Sequence, residues 1–374
     1  MPTIIDGSGS ATFQTPLPLL QGGTGITTFQ IPVPLAQGGT GSVVGALSGP
    51  NGSAFTLRNR IINGDMRIDQ RNAGAAVTVT DAYTVDRWEM REDTDGACTV
   101  QQVTDAPPSF GFSTKFTTTT ADASLTTTQR LFNSQQIEGF NASDFVFGTA
   151  SAKTVTVSFW VKSSLTGTFA GSLQNSVRNR SYVFNYTIST ASTWEYKTVA
   201  ISGDTAGTWI GAANGIGLRL NFALGVGPDL MGTADSWQAS GILSSTGAVS
   251  VIGTLNATWQ ITGVQLEEGS VATPFERRPI GFELTLCQRY FFTVPAQLFG
   301  YPSPNSGGYA AVQNYPFKVT MRAPPTATFS LTSQNNIAAI NSYATTVDSH
   351  SIQVISSITT NTTWIFTGTY IAEL

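Results

Sequence analysis

The chain is 374 residues long, more than one ordinary domain core needs, and only 11% of it is charged against the roughly 25% usual in soluble domains. A formal net charge of −4 and the lack of any basic cluster argue against nucleic acid as a partner. No apolar run approaches the ~20 residues of a membrane span, Met1 to Ser10 lack the basic and apolar regions of an export signal, and two cysteines, Cys98 and Cys287, are too few for a disulfide framework or a multi-cysteine zinc site.

Glu, Lys and Arg are scarce, whereas Val, Ile, Thr and aromatics recur in short runs broken by Gly, Asn, Asp and Pro, which predicts an all-β chain. Residues 1–56 hold a repeat: Phe13-Gln14-x-Pro16-x-Pro18-Leu19-x-Gln21-Gly22-Gly23-Thr24-Gly25 returns at Phe29-Gln30-x-Pro32-x-Pro34-Leu35-x-Gln37-Gly38-Gly39-Thr40-Gly41. Alternating prolines enforce extended backbone, and the glycines allow a turn with positive φ. A unit so short buries its apolar residues only against neighbours, so other chains must supply its partners, the alternative being a flexible linker.

Residues 57–280 read as a block of alternating strands. Thr154 to Lys162 puts Val155, Val157, Phe159 and Val161 on one face and Thr156, Ser158, Trp160 and Lys162 on the other; Leu218 to Leu224 does the same with Arg219 and Asn221 outward. Further strands are expected at Tyr182 to Ile188, Glu195 to Ile201 and Thr258 to Leu266, the whole closing as a β-sandwich or jelly roll. Residues 281–374 begin with Phe282 to Phe292, a segment of helical spacing before it turns aromatic that predicts a short connecting helix, followed by strand-like runs around Ala310 to Val319, Thr326 to Leu331, His350 to Ile358 and Thr363 to Ile371, a small C-terminal β domain.

At Arg58-Asn59-Arg60-Ile61-Ile62-Asn63-Gly64-Asp65-Met66-x-Ile68-Asp69-Gln70-Arg71-Asn72-Ala73-Gly74 the chain resembles a family of phage tail-fibre and receptor-binding proteins. The likeness continues through Tyr83-Thr84-Val85-Asp86-Arg87-Trp88, Ser158 to Ser164, Thr193 to Thr198, Ile261 to Gly269, Ala272 to Pro279 and Leu286-Cys287-Gln288-Arg289-Tyr290, covering most of residues 58–290. The Gly-Gly-Thr-Gly repeats of residues 1–56 resemble shaft-like N-terminal segments of such fibres, and the resemblance implies a homotrimeric virion protein with a domain similar to carbohydrate-binding jelly rolls, used in host attachment, in which that segment docks and trimerises. Its N-terminus would join other tail or baseplate proteins, its partner would be a bacterial surface glycan, and it would be assembled in the host cytoplasm and released by lysis. It carries over no contact residue.

Sugar rings present apolar faces, so a glycan site pairs an aromatic plate with planar polar side chains. On that ground the candidates are Trp160 and Lys162 on one strand face, Arg219 and Asn221 brought to a corresponding surface by a neighbouring strand, and Trp209 and Trp237 in glycine-rich loops. Each tryptophan has a second reading: Trp160 beneath a loop or a neighbouring subunit, Trp209 and Trp237 as anchors of their loops. Trp88, beside Asp86 and Arg87, reads as structural.

Catalysis finds little support. His350 is the one histidine, expected to face solvent, and Gly-x-Ser-x-Gly, a phosphate loop and a dinucleotide loop are all missing. Asp93-Thr94-Asp95-Gly96 fails as a calcium loop because position twelve is Thr104 instead of the required Glu, so it reads as a turn, although carbohydrate-binding jelly rolls sometimes hold a structural calcium. No cofactor, metal ligand or catalytic residue is assigned. A glycan depolymerase and a purely structural head fibre, decoration or tail adaptor stand as alternatives.

Overall fold

The computed structural model describes residues 57–301, 310–357 and 362–374, together with two short strands, β1 (Ile4–Ile5) and β2 (Ala11–Thr12), paired antiparallel. The two glycine-rich repeats and the shaft expected there lie outside the described residues. By contacts the chain forms one unit over Met1–Arg58 and another over Asn59–Leu374.

The second unit carries, in chain order, β3 (Val77–Thr78), β4 (Ala82–Val85), β5 (Trp88–Asp93), β6 (Ala97–Val103), β7 (Ser113–Thr120), β8 (Arg130–Glu138), β9 (Val155–Ser163), β10 (Gly167–Gln174), β11 (Ser181–Ile188), β12 (Glu195–Ile201), β13 (Ile216–Val226), β14 (Met231–Gly232), β15 (Trp237–Gln238), β16 (Ser244–Ser245) and β17 (Thr258–Glu268). They pair into a seven-stranded sheet, β15-β11-β10-β13-β8-β5-β4, and a six-stranded sheet, β12-β9-β17-β7-β6-β3. The alternation read in β9 and β13 holds: Val155, Val157, Phe159 and Val161 face Leu218, Leu220, Phe222 and Leu224 across one core. Phe222 sits at its centre, with Trp88, Phe159, Phe184, Tyr186 and Trp259 at 4.9–6.4 Å between ring centroids. Burying this much aromatic surface between two sheets is the main driving force for closing the sandwich.

The motif around residues 58–74 forms a knot in which backbone groups are bound by side chains. Asn63 donates from Nδ2 to the carbonyls of Ile68 (2.8 Å) and Asp86 (3.0 Å), and its own carbonyl accepts the Trp88 indole N–H at 3.1 Å. The expected short helix is α1 (Ile280–Gln288), which ends before the aromatic run from Tyr290 enters a strand and packs Leu284 and Cys287 on Ile62 and Ile68. Its buried Glu283 accepts from the Asn63 backbone N–H at 2.5 Å and faces the equally buried Arg278. Trp88 is fully buried, in accord with the structural reading.

The C-terminal layers are β18 (Phe291–Tyr301), β19 (Ala310–Pro316), β20 (Thr326–Asn335), β21 (Ile337–Thr345), β22 (Ser349–Ser356) and β23 (Thr362–Ile371). They form two three-stranded sheets, β18-β23-β20 and β19-β22-β21, around a core of Phe292, Val294, Met321, Ile352, Val354, Phe366 and Tyr370.

Candidate functional site

Three places collect the chemistry singled out in the sequence. The first is the outer face of the six-stranded sheet. Trp160 on β9 stands opposite Tyr196 on β12, with ring centroids 5.3 Å apart, and Tyr196 keeps 43% of its surface open. On the other flank β17 puts Thr262 opposite Trp160 and then slips register before Gln265. Gly263 in that bulge takes φ 63°, and a Cβ there would meet the Phe110 ring at 2.7 Å and the Trp160 ring at 3.1 Å, so only glycine gives both rings a flat floor.

Phe110 packs edge-on against Phe275 at 5.2 Å, with the Arg277 guanidinium 4.6 Å over its ring. Lys162 pairs with Asp105 and lies 5.2 Å from the Trp194 ring, whose indole N–H also donates to Asp105 at 3.3 Å. The Lys162 hydrogen bond holds the Asp105 carboxyl below the usual carboxylate range, leaving an ionised acceptor beside the aromatic plates. The other end of this face is closed: the chain after β17 crosses it, with Thr156 donating to the Gly269 carbonyl at 2.7 Å and Thr273 to Glu267 at 2.7 Å.

The second place is the outer face of the seven-stranded sheet, and here an expectation is overturned. Arg219 and Asn221 do point outward from β13, but β13 and β9 belong to opposite sheets, so neither shares a surface with Trp160. They join two polar rows instead. Ser172, Asn221, Ser134, Glu89 and Tyr83 lie in register across five strands, and Gln174, Arg219 and Gln136 form the row beside them. Asn221, with 1% exposure, accepts from Ser134 at 2.8 Å and donates to Ser172 at 3.1 Å. Gln136 donates to Glu89 at 2.9 Å, and Glu89 pairs with Arg91 at 3.0 Å. Segment 239–245 roofs one end, where Gln174 donates to the Ile242 carbonyl at 2.9 Å.

The third place unites Trp209 and Trp237, whose centroids are 5.5 Å apart at nearly right angles. Phe147 stacks edge-on against both, and Tyr182 against Trp237. Both indoles are spent on the protein: Trp237 donates to the Ser202 carbonyl at 2.7 Å, and Trp209 to the Ala206 carbonyl at 3.2 Å. The cluster packs on the main core, and its Phe147 and Trp209, with Phe145 and Leu218, border a pocket of about 50 Å³, too small for a sugar ring. This geometry is that of a seal on the open edge of the sandwich.

The expectation of a solvent-facing His350 is overturned too. The ring has no exposed surface, its Nδ1 lies 2.9 Å from the Tyr370 hydroxyl and its Nε2 2.9 Å from the Ser342 hydroxyl. β22 alternates, and His350 falls on the same face as Ile352 and Val354, which form the C-terminal core. The two cysteines are buried and unpaired, and burial pushes the Cys98 thiol up to about 12. Asp93 to Gly96 makes the β5–β6 turn, tied by Thr94 to Glu92 at 2.5 Å. Among the described residues no group of three or more His, Cys, Asp and Glu side chains gathers to hold a metal.

Sequence reasoning missed Tyr196, Asp105, Trp194 and Phe110. Tyr196 had a signal, since it alternates with inward-facing positions of β12; Asp105 and Phe110 come from the loop between β6 and β7, where no periodicity marks direction.

No protein-family model matches the chain, and no curated protein matches it. Among solved structures it is similar to the enzymatically active domain of tailspike protein 4 of bacteriophage CBA120, with 13% identity and a TM-score of 0.31 over 56% of this chain and 21% of that one, so it spans about a fifth of the tailspike. It is also similar to a putative sugar binding protein from Bacteroides thetaiotaomicron, with 15% identity and a TM-score of 0.35 over 57% of this chain and 100% of that one. A third similar structure is the family 11 carbohydrate-binding module from Clostridium thermocellum in complex with a β-1,3-1,4-mixed-linked tetrasaccharide, with 12% identity and a TM-score of 0.27 over 53% and 98%. Overlaps this loose carry no argument about ligand or activity.

Proposed function

We propose that this chain is a non-catalytic host-attachment protein of a bacteriophage particle, a homotrimeric tail-fibre-like adhesin that binds bacterial surface carbohydrate on the outer face of its six-stranded sheet. The observation that carries the carbohydrate reading is the Trp160–Tyr196 pair, two aromatic plates at a partly open sheet surface with the ionised Asp105, Lys162 and Trp194 alongside. Pyranose faces stack on such rings while hydroxyls donate to the carboxylate, and water is excluded from only one side, which suits weak, reversible contacts. The virion and trimer parts of the reading are supported by the tail-fibre-like motifs of residues 58–290. Three weak sites on one rigid body would raise avidity ~100-fold or more without a new contact. A Ser-His-Asp hydrolase finds no support, because His350, the one histidine, is buried between two hydroxyls with no carboxylate in hydrogen-bond contact among the described residues.

The test is binding of the purified protein to host cells and to a glycan array, before and after periodate oxidation of surface sugars. Trp160→Ala and Tyr196→Ala should each weaken binding about tenfold with the fold intact, the order expected for losing one buried aromatic contact. Unchanged binding in the double variant would move the glycan site off this face, and loss of no binding on oxidation would remove the carbohydrate reading altogether.

A further inference from the structure

Three arginines among the described residues are more than nine-tenths buried: Arg87 with 1% exposure, Arg278 with 7% and Arg219 with 8%. Taking a guanidinium out of water is costly unless an anion meets it. Arg87 pairs with Glu373 and Arg278 with Glu283, but Arg219 has no carboxylate within ion-pair distance among the described residues. Its Nη2 donates to the Ser176 carbonyl at 3.2 Å, and its Nε has no hydrogen-bond partner.

The surroundings deepen the deficit. Arg178, exposed on the turn between β10 and β11, adds a second guanidinium that no carboxylate pairs among the described residues, while Arg91 is taken by Glu89 at 3.0 Å and Asp81 at 3.4 Å. Burial first, and then Arg178, press the Arg219 guanidinium down to about 10 against the opposing pull of Glu89, whose carboxylate is held by Arg91. On the same face two buried polar atoms without hydrogen bonds, the Gln136 Oε1 and the Tyr83 hydroxyl, wait for partners. Natural proteins keep few such atoms, and a group of them around an unpaired cation calls for a polyhydroxylated anion.

We infer that this end of the seven-stranded face binds a carboxylate-bearing sugar, a uronic-acid-type residue of a surface polysaccharide. Arg219 is its bidentate anchor, Arg178 stands at its lip, and Gln136 and Tyr83 meet its hydroxyls. The planar fork of an arginine matches a carboxylate with two parallel N–H donors, and such charge-assisted bonds are about twice as strong as neutral ones. The site lies on the sheet opposite Trp160, so it is separate from the aromatic face and stands or falls apart from it.

The test uses the full chain with glucuronate and galacturonate oligomers, each matched to its carboxyl-reduced form in which –COO⁻ has become –CH₂OH. The acid forms should bind ~10-fold or more tighter than the reduced forms, as losing a charged hydrogen-bond pair predicts, and the preference should shrink in about 0.5 M salt. Arg219→Gln and the exposed Arg178→Gln should each diminish it. Equal binding of acid and reduced oligomers, binding of neither, or a preference that survives Arg219→Gln overturns the inference. A second measurement needs no sugar: Arg219→Met should unfold at the same or a higher temperature than the natural chain, because it removes an unpaired buried charge. A fall of several degrees would mark Arg219 as a structural cation and overturn the inference as well.

Discussion

A buried imidazole held between two hydroxyls is stable only while it is neutral, and His350 is in that position. Burial holds its pKa below the ordinary 6.5, so on acidification the unfolded chain takes up the proton first. The stability that rests on the neutral ring is therefore complete above about 6.5 and is lost as pH falls below it. Asp86 has the opposite sign: burial raises its pKa to about 6, so the folded state is protonated ahead of the unfolded one and gains stability on acidification through that value. Net acid sensitivity hides the His350 term, but a difference reveals it. His350→Gln, which still hydrogen-bonds and does not titrate, should lose less melting temperature than the natural chain between about pH 7 and pH 5; parallel curves would refute this. The buried side of His350 was legible, since Ser349 to Ser356 alternates and puts it with Ile352 and Val354. The sheet that each strand joins was not: alternation gives Arg219 and Asn221 a direction but no neighbours, which is why their pairing with Trp160 failed while their outward orientation held.

Among the elements, β17 couples the frame to the aromatic face. Its bulge at Gly263 is the single point where backbone, Phe110 and Trp160 meet, and alanine there would bring both left-handed strain and a Cβ too close to two rings. Gly263→Ala should cost about 1–2 kcal/mol in urea unfolding, the cost of a left-handed alanine, and weaken glycan binding by displacing Trp160. Full stability with full binding would show that the bulge positions nothing. Strands with clean alternation, β9, β11, β12, β13 and β17, were readable within a residue or two of their ends. β8 was not, because it is polar on both faces: the inward Gln135 spends its amide on the backbone of Ile62, donating and accepting at 2.8 Å, so its pattern has no apolar stripe. β10 carries no stripe for another reason: Gly167 and Gly171 interrupt its alternation, whereas a Cβ at position 171 would strike Phe184 at 2.4 Å and the small residue is a packing demand.

For the second unit as a whole, several motifs of the tail-fibre resemblance turn out to be structural joints. Arg87 and Arg71 from the sandwich both reach Glu373 at the end of the C-terminal layers, the latter at 2.5 Å, and the Arg87 guanidinium lies 3.6 Å from the Tyr290 ring centroid. Arg289 and the Tyr290 hydroxyl close on Glu138 at 2.6 and 2.7 Å, and Arg322 donates to the Asn214 carbonyl at 3.0 Å. The motifs at residues 58–74, 83–88 and 286–290 thus mark a seam of buried ion pairs, while those at 158–164, 193–198 and 261–269 lie on the strands of the aromatic face. A buried pair is strongly destabilising to break from one side, because the remaining charge stays out of water. Glu373→Gln should therefore cost about 3–5 kcal/mol in equilibrium unfolding, and Glu373→Gln combined with Arg87→Met should recover much of it, since an apolar side chain removes the stranded cation. A loss under about 1 kcal/mol in the single variant, the value of an exposed pair, would mean that water reaches the seam and that the sandwich and the C-terminal layers are joined by packing alone.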